Sequence, residues 1–158
     1  MFDLERVLGV LVSHSEEFIV VGGVAAALQG APVLTQDVDI LYRIEEQNLA
    51  RLERALNELN AVARGAPRNL RFGLSHLRTT GHKLATTDAG PLDELGAINE
   101  DLLYEDLIAA ADELEVGGHC VRVLSLQRLI ELKQALGRPK DRAMLPVLEA
   151  TLRERERR

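Results

Sequence analysis

Short apolar runs and amphipathic stretches alternate along the chain. Phe18 to Val21, Phe-Ile-Val-Val, is an unbroken apolar run of strand length that stops at Gly22-Gly23. An Ala-rich run follows, which favours helix, and Gly30 with Pro32 closes it. Gln36 to Tyr42 predicts a second strand, carrying Asp37-Val38-Asp39. Upstream, Leu4, Val7, Leu8 and Leu11 recur at helical spacing. Downstream, Glu45 to Asn60 predicts the clearest helix, with Leu49, Leu52, Leu56 and Leu59 in one stripe and Arg51, Glu53, Arg54 and Glu58 outside it. Ala61 to Gly81 has no period; it reads as a surface loop with a short helical turn. Its Arg64, Arg68, Arg71 and Arg78 would form a basic lip for triphosphate or RNA phosphates.

The second half continues with a β-hairpin, Lys83 to Thr87 and Leu92 to Ile98 about a turn at Asp88 to Pro91. A helix capped by Asn99 or Asp101 would bury Leu103, Leu107 and Ala110. After a turn at Glu115 to Gly118 comes a strand, His119 to Leu124, then a helix from Leu126 to Leu136 capped by Ser125. Gly137 ends that helix and Pro139 suits the first turn of another. Pro146 should kink or restart this last helix, and the charged tail Arg153 to Arg158 reads as frayed.

Such an order of elements implies a single α/β domain over residues 1–158, with a mixed, mainly antiparallel sheet flanked by helices. A net charge of −6 argues against a basic surface over the whole molecule but leaves room for a local channel. The lone Cys120 excludes an internal disulfide and fits a reducing cytoplasm. No stretch approaches the ~20 apolar residues of a membrane span. Neither a Gly-x-Ser-x-Gly elbow nor a Walker-type loop is present to support a hydrolase.

Chemistry concentrates in a few places. Residues two apart on a strand share a face, so Asp37 and Asp39 project side by side, roughly 6 to 7 Å apart at the backbone. Unpartnered like charges so close raise each other's pKa, and a cation such as Mg²⁺, with substrate phosphates, removes the conflict. Gly22 and Gly23, at a strand end and helix start, let bare backbone approach an anion. Asp93 lies among apolar neighbours, where a charge is costly unless paired or metal-bound. Lys133 falls on the apolar stripe of Leu129 and Ile130, either snorkelling or held toward phosphates. Arg138 and Lys140 flank a helix N-terminus, an anion-binding place.

Gly-Gly at a strand-to-helix turn followed by Asp-x-Asp on the next strand resembles the nucleotidyltransferase superfamily, the polymerase-beta-like fold. Within it, the chain looks most like small bacterial members, including nucleotidyltransferase-type toxins of toxin–antitoxin systems. The likeness is strongest over Glu17 to Arg43 and weaker over Leu84 to Ile98 and Ser125 to Leu148. It implies transfer of a nucleotidyl group from a nucleoside triphosphate to a hydroxyl of tRNA, other RNA or protein, with a cognate antitoxin as partner. Asp37, Asp39 and a third acid would hold Mg²⁺; that acid is Asp93, with Glu94 and Asp88 as the alternatives. Gly22, Gly23, Lys133, Arg138 and Lys140 would seat the triphosphate. The rival expectation is a module of this fold with a vestigial site, working through a partner protein.

Overall fold

The sheet runs β3-β4-β5-β2-β1-β7-β6 in the computed structural model, which describes residues 2–66 and 68–158. Its strands are β1 (Phe18–Val21), β2 (Val38–Tyr42), β3 (Val62–Ala63), β4 (His82–Thr87), β5 (Gly90–Leu95), β6 (Ala111–Val116) and β7 (His119–Leu124). The helices are α1 (Leu4–Ser13), α2 (Gly22–Leu28), α3 (Glu46–Glu58), α4 (Leu74–Leu77), α5 (Tyr104–Leu107), α6 (Leu126–Leu136) and α7 (Pro139–Glu156). Four of the neighbouring pairs are antiparallel; β1 with β7 and β2 with β5 are parallel. The expected mixed, mainly antiparallel α/β sheet is therefore what forms.

Local chemistry explains most boundaries. Asp3 caps α1 by accepting from the Arg6 amide at 3.1 Å, and Ser125 caps α6 by accepting from the Arg128 amide at 3.1 Å. Gly137 ends α6 in the left-handed conformation, φ 61°. β1 and β2 sit centrally and carry the core: Ile19, Val20, Val38, Ile40, Leu41 and Tyr42 are fully buried. Helix α2 packs on β1, β2, β7 and α6, while α1 packs on β7 and α3. Asn48, fully buried at the start of α3, ties the entry of β1 to that helix: its Nδ2 donates to Glu16 Oε1, Glu17 O and Arg43 O, and its Oδ1 accepts from the Glu17 amide.

Four expectations need correction. Ala111–Val116 is an edge strand paired with all of β7, where the sequence suggested the end of a helix and a turn. The helix before it is only α5 with a 3₁₀ turn at Ile108–Ala110, and its start is held by Asp106 Oδ2 accepting from the Leu103 amide at 2.8 Å, in place of a cap by Asn99 or Asp101. Helix α7 does not restart at Pro146 but runs through it; Pro146 is exposed, so water can reach the carbonyl left unbonded by the missing N–H. It also continues to Glu156 instead of fraying from Arg153, because Arg155 Nη1 donates to Gln29 Oε1 at 2.9 Å.

Candidate active site

Parallel pairing of β2 with β5 sets Asp39 directly beside Asp93. Both residues face away from the side that holds Ile40 and Glu94, since successive strand residues alternate. Asp37, just before β2, closes the group: one carboxylate oxygen from each of Asp37, Asp39 and Asp93 lies within 4.8 Å of the other two. The alternatives for the third acid lie elsewhere. Glu94 is fully buried on the opposite face, and Asp88 sits at the hairpin turn accepting from Asn60 Nδ2 at 2.5 Å.

Antiparallel pairing of β1 with β2 brings Val21 opposite Asp39, so the chain enters α2 against the carboxylates. Gly22 has φ +69°, which favours glycine, and a Cβ there would collide with Asp39 Oδ2 and lie 3.1 Å from Asp39 Cγ. A Cβ on Gly23 would meet Thr35 Oγ1 at 3.0 Å, and that hydroxyl donates to Asp37 O at 3.0 Å. The glycine pair therefore makes room for the acidic cluster as well as baring the start of α2. Thr35 was not legible as a site residue; its only sequence signal is its place two residues before Asp37.

Burial pushes the Asp39 carboxyl well above the ordinary carboxylate range, and the neighbouring Asp37 and Asp93 push it further. Burial and Asp37 raise Asp93 too, against the pull of Arg64. Arg64 Nη2 donates to Asp93 Oδ1 at 2.8 Å and to Ala85 O at 2.7 Å, while the Arg64 amide donates to Leu84 O at 2.8 Å. This arginine, expected only in a loose basic lip, is fixed to β4 and placed on the third carboxylate. Three hard oxygen donors on buried or half-buried side chains, with the charges of Asp39 and Asp93 disfavoured by burial and by Asp37, match what a Mg²⁺ ion needs.

Two of the cationic residues expected at the triphosphate meet at Asp141. Lys133 Nζ and Arg138 Nε both donate to the fully buried Asp141, at 3.3 and 2.6 Å, which locks α6 against α7. Lys140 is exposed in the first turn of α7. No hydrogen bond or ion pair links these three to the aspartate cluster among the described residues.

A family model described as aminoglycoside-2''-adenylyltransferase matches residues 3–145, almost the whole chain. The chain belongs to this family. Solved structures agree in fold. One is a Thermotoga maritima protein described as a nucleotidyltransferase, 22% identical, with a TM-score of 0.60 and coverage of 90% of this chain and 88% of that one. Another is ANT(2'')-Ia in complex with adenylyl-2''-tobramycin, 16% identical, TM-score 0.61, covering 94% and 87%. A third is the lincosamide antibiotic adenylyltransferase LnuA with lincomycin bound, 11% identical, TM-score 0.62, covering 94% and 95%. No curated protein matches the sequence. The aminoglycoside-2''-adenylyltransferase family places the chain among nucleotidyltransferases, as the glycine pair and Asp-x-Asp suggest. No helix is long and apolar enough to cross a membrane among the described residues.

Proposed function

We propose that the protein transfers a nucleotidyl group from a nucleoside triphosphate to a hydroxyl acceptor at the Asp37–Asp39–Asp93 cluster. The convergence of these three carboxylates beside the bare start of α2 is the observation that supports it. Asp37, Asp39 and Asp93 would hold Mg²⁺, which when bound supplies charge neutralisation at the phosphates and polarises the attacked phosphorus. Gly22 and Gly23 offer backbone amides to the phosphate oxygens. Asp93 stands at the acceptor side, on the strand farther from α2, and takes the proton of the acceptor hydroxyl. The hydroxyl oxygen bonds to the α-phosphorus, the bond from that phosphorus to the bridging oxygen breaks, and pyrophosphate leaves. Arg64 holds Asp93 in place for that proton transfer. Lys133, Arg138 and Lys140 remain assigned to the distal phosphates, with Asp141 orienting the first two; support comes from the packing of α6 on α2, the helix that begins at Gly22.

Resemblance points to tRNA, other RNA or protein as acceptor, in the cytoplasm, with an antitoxin as partner. Two of the structural neighbours instead carry adenylyl-2''-tobramycin and lincomycin. Both kinds of acceptor belong in the test. Protein, Mg²⁺ and each radiolabelled NTP are incubated with bulk RNA, cell protein, tobramycin or lincomycin. Label on an acceptor, lost in Asp39→Asn, is the expected result. No label with any pair, from protein that still binds NTP, would leave a non-catalytic binding module.

A further inference from the structure

We infer that Thr35 is a positioning residue of the metal site: its hydroxyl sets where Asp37 stands, and Gly23 is glycine to let it do so. The inference rests on the reading of Asp37, Asp39 and Asp93 as ligands of a divalent cation. Two of these acids are fixed by the sheet. Asp39 pairs with Val21 on one side and Asp93 on the other, and Asp93 pairs with Leu84 as well. Asp37 has no such register. The chain bends at Gln36 and Asp37, and β2 starts one residue later. A carboxylate carried outside the ladder needs another constraint if one of its oxygens is to stay within 4.8 Å of the other two acids.

Thr35 supplies that constraint. From Pro32 to Asp37, exposed and half-buried residues alternate, with Val33, Thr35 and Asp37 the half-buried ones. Leu34, between two of them, is fully exposed, so the loop gains no hold there. The Thr35 hydroxyl donates to the Asp37 carbonyl at 3.0 Å, which fixes the backbone that bears the first carboxylate. Among the described residues it is the one side chain bonded to the Asp37 backbone.

On its other side Thr35 lies against Gly23. Gly23 is helical and not left-handed like Gly22, so its backbone conformation is open to any residue. What bars a side chain is Thr35. A Cβ on Gly23 would lie 3.0 Å from Thr35 Oγ1 and 3.1 Å from Thr35 Cβ. The two glycines therefore serve different acids. Gly22 makes room for Asp39 itself, and Gly23 makes room for the residue that holds Asp37.

The test reads metal binding, not turnover. Mn²⁺, a paramagnetic stand-in for Mg²⁺, is titrated into the protein, and the free ion is counted by its EPR signal. Valine matches threonine in shape but cannot donate, whereas serine keeps the donor. Removing a group that orients a metal ligand weakens affinity by about 10–100-fold, so Thr35→Val should bind Mn²⁺ at least about tenfold more weakly. Thr35→Ser should restore most of the loss. Added to Asp37→Asn, Thr35→Val should change nothing further, because the carboxylate it positions is gone. Gly23→Ala should weaken binding by dislodging Thr35, and combined with Thr35→Val should cost far less than the product of the two single effects. Melting midpoints in EDTA show that each variant folds. Wild-type affinity in Thr35→Val would overturn the proposal, as would no rescue by serine, a further loss on top of Asp37→Asn, or independent effects of Gly23→Ala and Thr35→Val. If Thr35→Val binds normally while Asp39→Asn does not, this proposal alone falls. If wild type binds no Mn²⁺, or Asp39→Asn binds it equally well, the metal reading falls and takes this one with it.

Discussion

At the scale of single residues, Gly22 is the position with least freedom. Alanine there would need φ +69° and would also drive its methyl into Asp39. The backbone strain alone costs ~1–3 kcal/mol. Gly22→Ala should thus lower the melting midpoint and cut Mg²⁺-dependent NTP binding at least about tenfold by displacing Asp39; calorimetric titration reads the second effect. Glu16 makes a different demand. Burial, opposed by Arg51 and Asn48, pushes its carboxyl up to about 9 from 4.5, and its Oε2 has no hydrogen-bond partner. The folded chain thus holds this proton more tightly than the unfolded chain does. The stability from the neutral form is complete below pH 4.5 and is lost as pH climbs through about 9. Glu16→Gln is neutral throughout, so its melting midpoint should pull ahead of wild type progressively over that window. A difference that stays constant with pH would remove the buried charge as the cause.

Among the elements, the α6–α7 hairpin has its own pin. The Arg138 hydrogen bond, with help from Lys133, pulls the Asp141 carboxyl down to about 2 from 3.8. That contribution is present above pH 3.8 and disappears as pH falls to about 2. Asp141→Asn should cost ~3 kcal/mol in urea unfolding, since two cations lose a buried counter-charge, and should flatten acid unfolding over the same range. Lys133→Met leaves the buried carboxylate to Arg138 alone. It should therefore destabilise, where an unpaired ammonium on an apolar stripe would have gained from the same change. The sequence shows Lys133 as anomalous but not its partner, because Asp141 reads as an ordinary first-turn acid. Other elements divide the same way. The β1–α2–β2 unit was legible because an apolar run, glycines and a period-two Asp-x-Asp each say something local. β6 was not, because Asp112, Glu113 and Glu115 on an exposed edge look like a solvated helix end. In the sequence Arg64 is one of several loop arginines; only the β3–β4 pairing, which is non-local, puts it on Asp93.

For the molecule as a whole, folding brings three carboxylates together before any cation neutralises them. Asp37→Asn with Asp39→Asn should melt no lower than wild type in EDTA, since a repulsion is removed. Mg²⁺ should raise the wild-type midpoint with concentration, as any ligand of the native state does, and leave the double variant unmoved. A large loss of stability in EDTA would make these aspartates structural. The site lies at the middle of the sheet order, where β2 is flanked by β1 and β5. In the proposed reaction the phosphates would lie toward α2 and the acceptor toward β5 and β4.

Lys83 carries one more consequence. Its ammonium is buried under the Thr79 and Gly81 carbonyls, which accept from it at 2.5 and 2.6 Å. Besides Lys83, Lys133 and Lys140, the chain has no lysine. The three side chains thus sit in three settings: sequestered, half-covered on Asp141, and open to solvent. An amine-reactive acylating reagent applied to native protein should mark Lys140 within its ordinary reaction time, Lys133 slowly, and Lys83 only when β4 detaches. Peptide mass spectrometry of the Lys83 adduct would then clock the opening of the strand beside the third carboxylate, with no engineered probe.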